Sequence, residues 1–171
     1  MDYYFFRIIN DLSGNSFTFD FLALFFGKYF GYFLLFLLFL FLLRNKKRIF
    51  FFALSSAILS RFVITTVIRN FYYKDRPFVV LDIFPLIEHA KTASFPSGHA
   101  AFFFGLGTAV FLKNKKMGIF FLAGAFLISL SRIYAGIHWP FDIIMGAIVG
   151  ILSAFIILKI ENYYFSKKED K

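Results

Sequence analysis

Three short stretches hold most of the residues able to do chemistry. The first runs from Arg69 to Pro77 and contains Lys74 and Arg76; the second is Pro96-Ser97-Gly98-His99; the third runs from Ser131 and Arg132 to His138 and Asp142. Arg69 (or Lys74), Arg76 and Arg132 are fixed cations, and the planar fork of arginine matches phosphate oxygens in bidentate fashion. Ser97 reads as a helix N-cap, and Gly98 lets backbone approach a ligand closely, so the N–H groups there join the positive end of a helix dipole. Together these make an anion cradle, the kind that stabilises a transferring phosphoryl group.

Two histidines flank the cradle. Asp142 follows His138 by one helical turn, so its carboxylate can take the proton of one imidazole nitrogen and leave the other free to attack. His138 is the candidate nucleophile, passing through a phosphohistidine. His99 is the candidate acid for the leaving oxygen and then the base for water. The scheme asks for no cofactor and no metal, since the loops here lack the carboxylate cluster of a magnesium site. Taken singly, an Arg-Pro pair, a Pro-Ser-Gly-His tetrapeptide or a His/Asp pair could be structural. Their joint occurrence on one face is what carries the reading.

The elements that position them must sit in lipid. Sixty per cent of the 171 residues are hydrophobic and thirty are phenylalanine. A soluble domain of this size leaves too much surface wet to hide them. With no cysteine, disulfides and thiol chemistry are excluded. Apolar runs predict an all-α integral membrane bundle of about five to six transmembrane helices in one domain, residues 1–171. The spans end at Leu43 (starting between Phe17 and Tyr29) or cover Ile49 to Ile68, Ser97 to Leu112, Gly118 to Ile133 and Pro140 to Leu158. The third is short for a full crossing. Residues 1–13 read as an interfacial helix with Tyr3, Phe6, Ile9 and Leu12 on one face. Aspartate at position 2, with no basic segment before the first span, argues against a processed signal peptide.

The net charge of +9 divides between the two membrane faces, which disfavours a nucleic-acid partner. Basic segments at 44–48, 113–116 and 159–171 fall on one side, cytoplasmic by the positive-inside rule. The stretch 69–96 then faces outward as a catalytic loop, and 159–171 is a cytoplasmic tail in which Glu161 onward is solvated. Gly27/Gly31 and Gly146/Gly150 read as packing points inside one bundle. Lys28 is expected to snorkel to the outer interface. Arg61, roughly 10 Å below that face, is expected to be structural. His89 is an exposed loop residue or an accessory contact, as is Lys74 if it replaces Arg69 on phosphate. The oligomeric state is left open.

These stretches resemble the signature of the type-2 phosphatidic acid phosphatase superfamily: Lys-x6-Arg-Pro, Pro-Ser-Gly-His and Ser-Arg-x5-His-x3-Asp. The second and third are matched in full; in the first, Arg69 stands in the lysine place. The resemblance implies His138 as nucleophile, Asp142 as its orienting acid, His99 as proton donor, and Arg69, Arg76, Ser97, Gly98 and Arg132 as phosphate ligands. The superfamily's soluble vanadium haloperoxidases do not fit so apolar a chain. Leu86 to Ala90, Ala93 to Ser97, Asp20 and Phe25 to Tyr29 look like bacterial undecaprenyl-diphosphatases, some of which confer bacitracin tolerance. That likeness implies a polyprenyl diphosphate substrate on the outer face of a bacterial cytoplasmic membrane and a role in cell-wall synthesis. Phosphatidylglycerophosphate, phosphatidate and lipid A phosphate are the alternatives, and a non-catalytic transporter would leave both histidines idle.

Overall fold

A computed structural model describes residues 1–169, with side chains through Tyr164, and among them every regular element is helical. Helix α1 (Asp2–Asn10) precedes two long helices, α2 (Phe17–Leu43) and α3 (Lys47–Phe71). A short α4 (Pro77–Val80) lies in the connection to α5 (Gly98–Lys113), which is followed by α6 (Lys115–Tyr134) and α7 (Pro140–Glu169). Helices α2, α3, α6 and α7 are long and apolar enough to cross a membrane; α5, at 16 residues, is shorter. Phe36, Phe51, Phe126 and Phe155 are exposed along the outer faces. That is a liability in water and ordinary contact in lipid. The chain is a membrane protein.

The start of the first span, open in the sequence, is settled at Phe17, and Lys28 lies inside it. The helix accommodates Lys28 within a π-turn over Phe25–Tyr29; a second π-turn over Leu59–Ile64 contains Arg61. Such single wide turns re-aim side chains and free carbonyls.

The short α5 is the hub. It lies against α3, α6 and α7, so small residues rather than length let it survive at membrane depth. Gly105 faces Gly150 so closely that a Cβ on Gly150 would come within 2.6 Å of the Gly105 nitrogen, and one on Gly146 would meet Ala100 at 2.9 Å. The glycine pairs thus pack inside one bundle, as their spacing suggested. Leu34, Leu38, Leu106, Phe121 and Ile128 fill the core between these helices.

Two details depart from the sequence reading. Glu161 is not part of a solvated tail: it sits within α7, accepts from Lys113 at 2.6 Å and pairs with Arg48. Those ion pairs clamp the basic ends of α3, α5 and α7 together. Helix α1 is also more than a surface float. Phe6 is fully buried, with its ring centroid 5.0 Å from that of Trp139, while Tyr3 and Leu12 stay exposed. Asn10 donates to the Tyr134 carbonyl at 2.8 Å. Residues 170 and 171 of the expected tail lie outside the described residues.

Candidate active site

The three stretches meet at the end of the bundle opposite the Glu161 clamp. Arg69 is on the last turn of α3, Ser97 caps α5, Arg132 is on the last turn of α6, and Asp142 is on the first turn of α7. Between Arg132 and His138 the chain must reverse within a few residues; Gly136, at φ +80°, makes that turn, a backbone region open to glycine at little cost. Pro140 then starts α7, where its missing N–H has no partner to lose.

His138 is 1% exposed. Its Nε2 lies 3.2 Å from Arg76 Nη1, and its Nδ1 lies 3.2 Å from Ser94 Oγ. Arginine has only donors, so Nε2 is the acceptor and Nδ1 carries the proton. The Ser94 hydroxyl in turn donates to Asp142 Oδ2. The expected His138–Asp142 pair is present, but at 3.5 Å, with Ser94 bridging the two. Burial pushes the His138 imidazole down to about 3, overriding the Asp142 hydrogen bond that favours its cation; it is neutral at pH 7, with the Nε2 lone pair accepting from Arg76.

Asp142 is fully buried and takes three more contacts. Lys74 Nζ donates to Oδ1 at 2.9 Å, the Trp139 backbone N–H to Oδ2 at 3.0 Å, and its own carbonyl accepts from Ser97 N–H at 2.9 Å. Lys74 also bonds Asp2 of α1 at 2.9 Å. Burial works against the Lys74 cation, but these bonds outweigh it and raise its pKa above the ordinary lysine value. Lys74 is thus a partner of Asp142. Asp2 goes further, accepting from Phe141 N–H at 2.9 Å and so capping α7.

The arginines divide by partner. Arg76 is 1% exposed, and its five N–H donors meet Thr92 O, Thr92 Oγ1, Ala93 O, Ile137 O and His138 Nε2. Burial and the neighbouring Arg69 lower it to about 10, still a cation. Arg69 holds the Pro96 carbonyl through Nε at 3.3 Å and Nη2 at 2.8 Å. Arg132 gives Nη2 to the Gly27 carbonyl at 2.7 Å, inside the π-turn of α2, while its buried Nε has no hydrogen-bond partner among the described residues. The Arg61 guanidinium lies directly against Gly98 and so belongs to the site's wall.

His99 is half-buried and lines a cavity of about 470 Å³ together with Arg132, Lys28, Tyr32 and the apolar Leu35 and Phe103. It lies within electrostatic reach of His138 and Arg132. His89 sits with its ring centroid 6.4 Å from that of His138, and burial lowers its pKa. Among the described residues no three His, Cys, Asp or Glu side chains gather to hold a metal.

Sequence spacing missed Ser94, Thr92, Asp2 and Trp139. Ser94 reaches partners 44 and 48 positions away, and no local pattern marks it. What assembles here is a neutral imidazole with an unprotonated nitrogen, a buried carboxylate behind it, and a ring of guanidinium groups beside a helix N-terminus. That arrangement can accept a phosphoryl group.

Comparison with known proteins agrees. A bacitracin transport permease protein BcrC of Bacillus licheniformis is 34% identical over 155 residues, 89% of this chain and 76% of that one. The undecaprenyl-diphosphatase BcrC of Bacillus subtilis is 33% identical over 58% of this chain and 52% of its own length. Further matches include proteins named as a lipid A 4'-phosphatase and a phosphatidylglycerophosphatase B. The crystal structure of Aquifex aeolicus LpxE superposes with a TM-score of 0.76 at 30% identity, covering 91% of this chain and 93% of that one. The PAP2 superfamily pattern matches residues 50–166, a stretch holding all three motifs, and the chain belongs to that superfamily of phosphatases.

Proposed function

We propose that this protein is an undecaprenyl-diphosphate phosphatase that works through a phosphohistidine on His138. The observation that carries the chemistry is the chain Arg76–His138–Ser94–Asp142, which leaves a neutral Nε2 facing a guanidinium. The terminal phosphate of the lipid docks on Arg69, Arg76, Arg132, the Ser97 hydroxyl and the N–H groups that open α5 at Gly98 and His99. Arg76 passes one N–H from Nε2 to a phosphate oxygen. The freed lone pair forms the P–N bond as the bond to the bridging oxygen breaks, and His99 gives that oxygen its proton. The dianionic substrate favours the imidazolium of His99 that this step needs. Asp142, through Ser94, stabilises the positive charge that builds on His138. Water then attacks the phosphohistidine, gives its proton to His99, and releases inorganic phosphate. The scheme runs on side chains alone, so turnover should survive chelator.

The substrate reading leans on the relatives named BcrC, one of them an undecaprenyl-diphosphatase. The orientation leans on the charges. Helix α3 starts in the basic segment at Lys47, runs for 25 residues and ends at the site. At about 1.5 Å per residue that is a full bilayer away. With the Lys and Arg end cytoplasmic, the site, including the segment 69–96, opens to the outer face and the C-terminus lies inside. A second reading, the same chemistry on phosphatidylglycerophosphate, phosphatidate or lipid A phosphate, is favoured by the further relatives named for such substrates.

The test is phosphate release by purified protein from undecaprenyl diphosphate and, in parallel, phosphatidylglycerophosphate, each with and without chelator. Faster turnover of the diphosphate, unaffected by chelator and lost in His138→Ala with the helical content intact, is expected. Normal activity in His138→Ala would defeat the mechanism. Preference for the phospholipid would favour the second reading, and no phosphate release from either lipid would restore the transporter reading.

A further inference from the structure

We propose that Lys28, with Arg132, forms a subsite for the phosphate that stays on the lipid, and that this subsite selects diphosphates over monophosphates. The inference rests on the diphosphatase reading above. It starts from the 470 Å³ cavity, which touches His99 and Arg132 but none of Arg76, His138 or Asp142. In-line displacement puts the leaving group opposite the attacking nitrogen. With His138 attacking and His99 protonating the bridging oxygen, whatever leaves must lie beyond His99, where the cavity is. For a lipid diphosphate the leaving group is a lipid monophosphate, which carries negative charge into that space.

The lining fits such a group. Lys28 and Arg132 bring cations, and no carboxylate lines the cavity. Lys28 forms no ion pair among the described residues, and the buried Arg132 Nε, 5% exposed as a residue, is an unpartnered donor in the same wall. Most of the rest of the wall is apolar, with Phe26, Leu35, Phe103 and Ile128, beside Tyr29 and Tyr32, offering a path for the first part of the chain. Its volume lies within the range of small-molecule sites, roughly 300–1,000 Å³. The π-turn at Phe25–Tyr29 supplies both halves of the subsite: it carries Lys28, and its Gly27 carbonyl holds Arg132 Nη2 at 2.7 Å. Lys28 therefore does more than snorkel to the interface.

The experiment compares farnesyl diphosphate with farnesyl monophosphate on detergent-solubilised full-length protein. In Lys28→Met the ratio of kcat/KM for diphosphate over monophosphate should fall about tenfold, the weight of one charge-assisted hydrogen bond. Lys28→Arg should keep the wild-type ratio. Lys28→Gln repeats the loss with a polar side chain in place. An unchanged ratio in both Lys28→Met and Lys28→Gln, while wild type prefers the diphosphate, overturns this inference alone. A wild type that turns over only the monophosphate overturns the diphosphatase reading and this one with it.

Discussion

The Ser94 hydroxyl donates to Oδ2 of Asp142 and stands 3.2 Å from His138 Nδ1, so the carboxylate reaches the imidazole largely through a serine. The direct His138–Asp142 approach is 3.5 Å, too long for a strong hydrogen bond. Ser94 therefore positions His138, the proposed nucleophile: with its own proton on Asp142, it accepts the one on Nδ1.

Removing that hydroxyl leaves the buried Nδ1 proton without its partner and Asp142 Oδ2 with only the Trp139 N–H, at a cost of about 1–3 kcal/mol. If the cost falls on the transition state, kcat in Ser94→Ala drops about ten- to a hundredfold. The pH profile should shift as well, because the imidazolium of the intermediate loses support. Full kcat with an unmoved profile in Ser94→Ala would show that Asp142 holds His138 unaided.

Burial of His138 makes a pH prediction with a definite sign. Its imidazole titrates at the ordinary value of about 6.5 when unfolded and at about 3 when folded. Above the first value neither state binds the proton. Between the two, only the unfolded chain does, so stability present at neutral pH is lost as pH falls through that window. Thermal unfolding midpoints at about pH 7.5 and about pH 5 should differ more in wild type than in His138→Gln. Equal slopes would mean that other groups carry the acid sensitivity.

Asp2 ties the first helix to the last span through Phe141 N–H and to the site through Lys74. Asp2→Ala should lower stability by about 1 kcal/mol, as for other lost caps. Asp2→Asn keeps an oxygen for Phe141 and should retain most of that. Thermal melts of the two variants separate capping from charge, and an Asn variant as weak as the Ala one would assign the effect to the Lys74 ion pair.

Glycines near the site differ in what they face. A Cβ on Gly150 meets the backbone of α5, which cannot step aside, so Gly150→Ala should cost about 1–3 kcal/mol or fail to assemble. One on Gly98 meets the guanidinium of Arg61, the mobile end of a long side chain. Gly98→Ala should fold but lose kcat/KM through the displaced Arg61. Melting temperatures and kinetics on the pair check this; a Gly98→Ala variant with wild-type kinetics would remove Gly98 and Arg61 from the phosphate cradle.

Much of this was legible in one dimension because its causes are local. Apolar runs report helices in lipid, Pro140 and Ser97 mark where helices start, and fixed spacing within a single turn places Asp142 beside His138. Motif identity then singled out the histidines and arginines that the structure brings together. What decided the remainder was long-range packing. Close approach of Gly105 and Gly150 sets how α5 and α7 bring Ser97 to Asp142. Ser94, Thr92 and Asp2 acquire their partners only when the ends of separate helices meet, so no spacing rule could mark them. Lys74 changes from a spare phosphate ligand to the counter-ion of Asp142 for the same reason. The sequence by itself determined the family and the side chains that gather at the candidate site, since residue type and helical spacing are intrinsic to the chain. Which proton sits on which nitrogen, and which cation is left over for a ligand, was decided by tertiary structure, because both depend on neighbours distant along the chain.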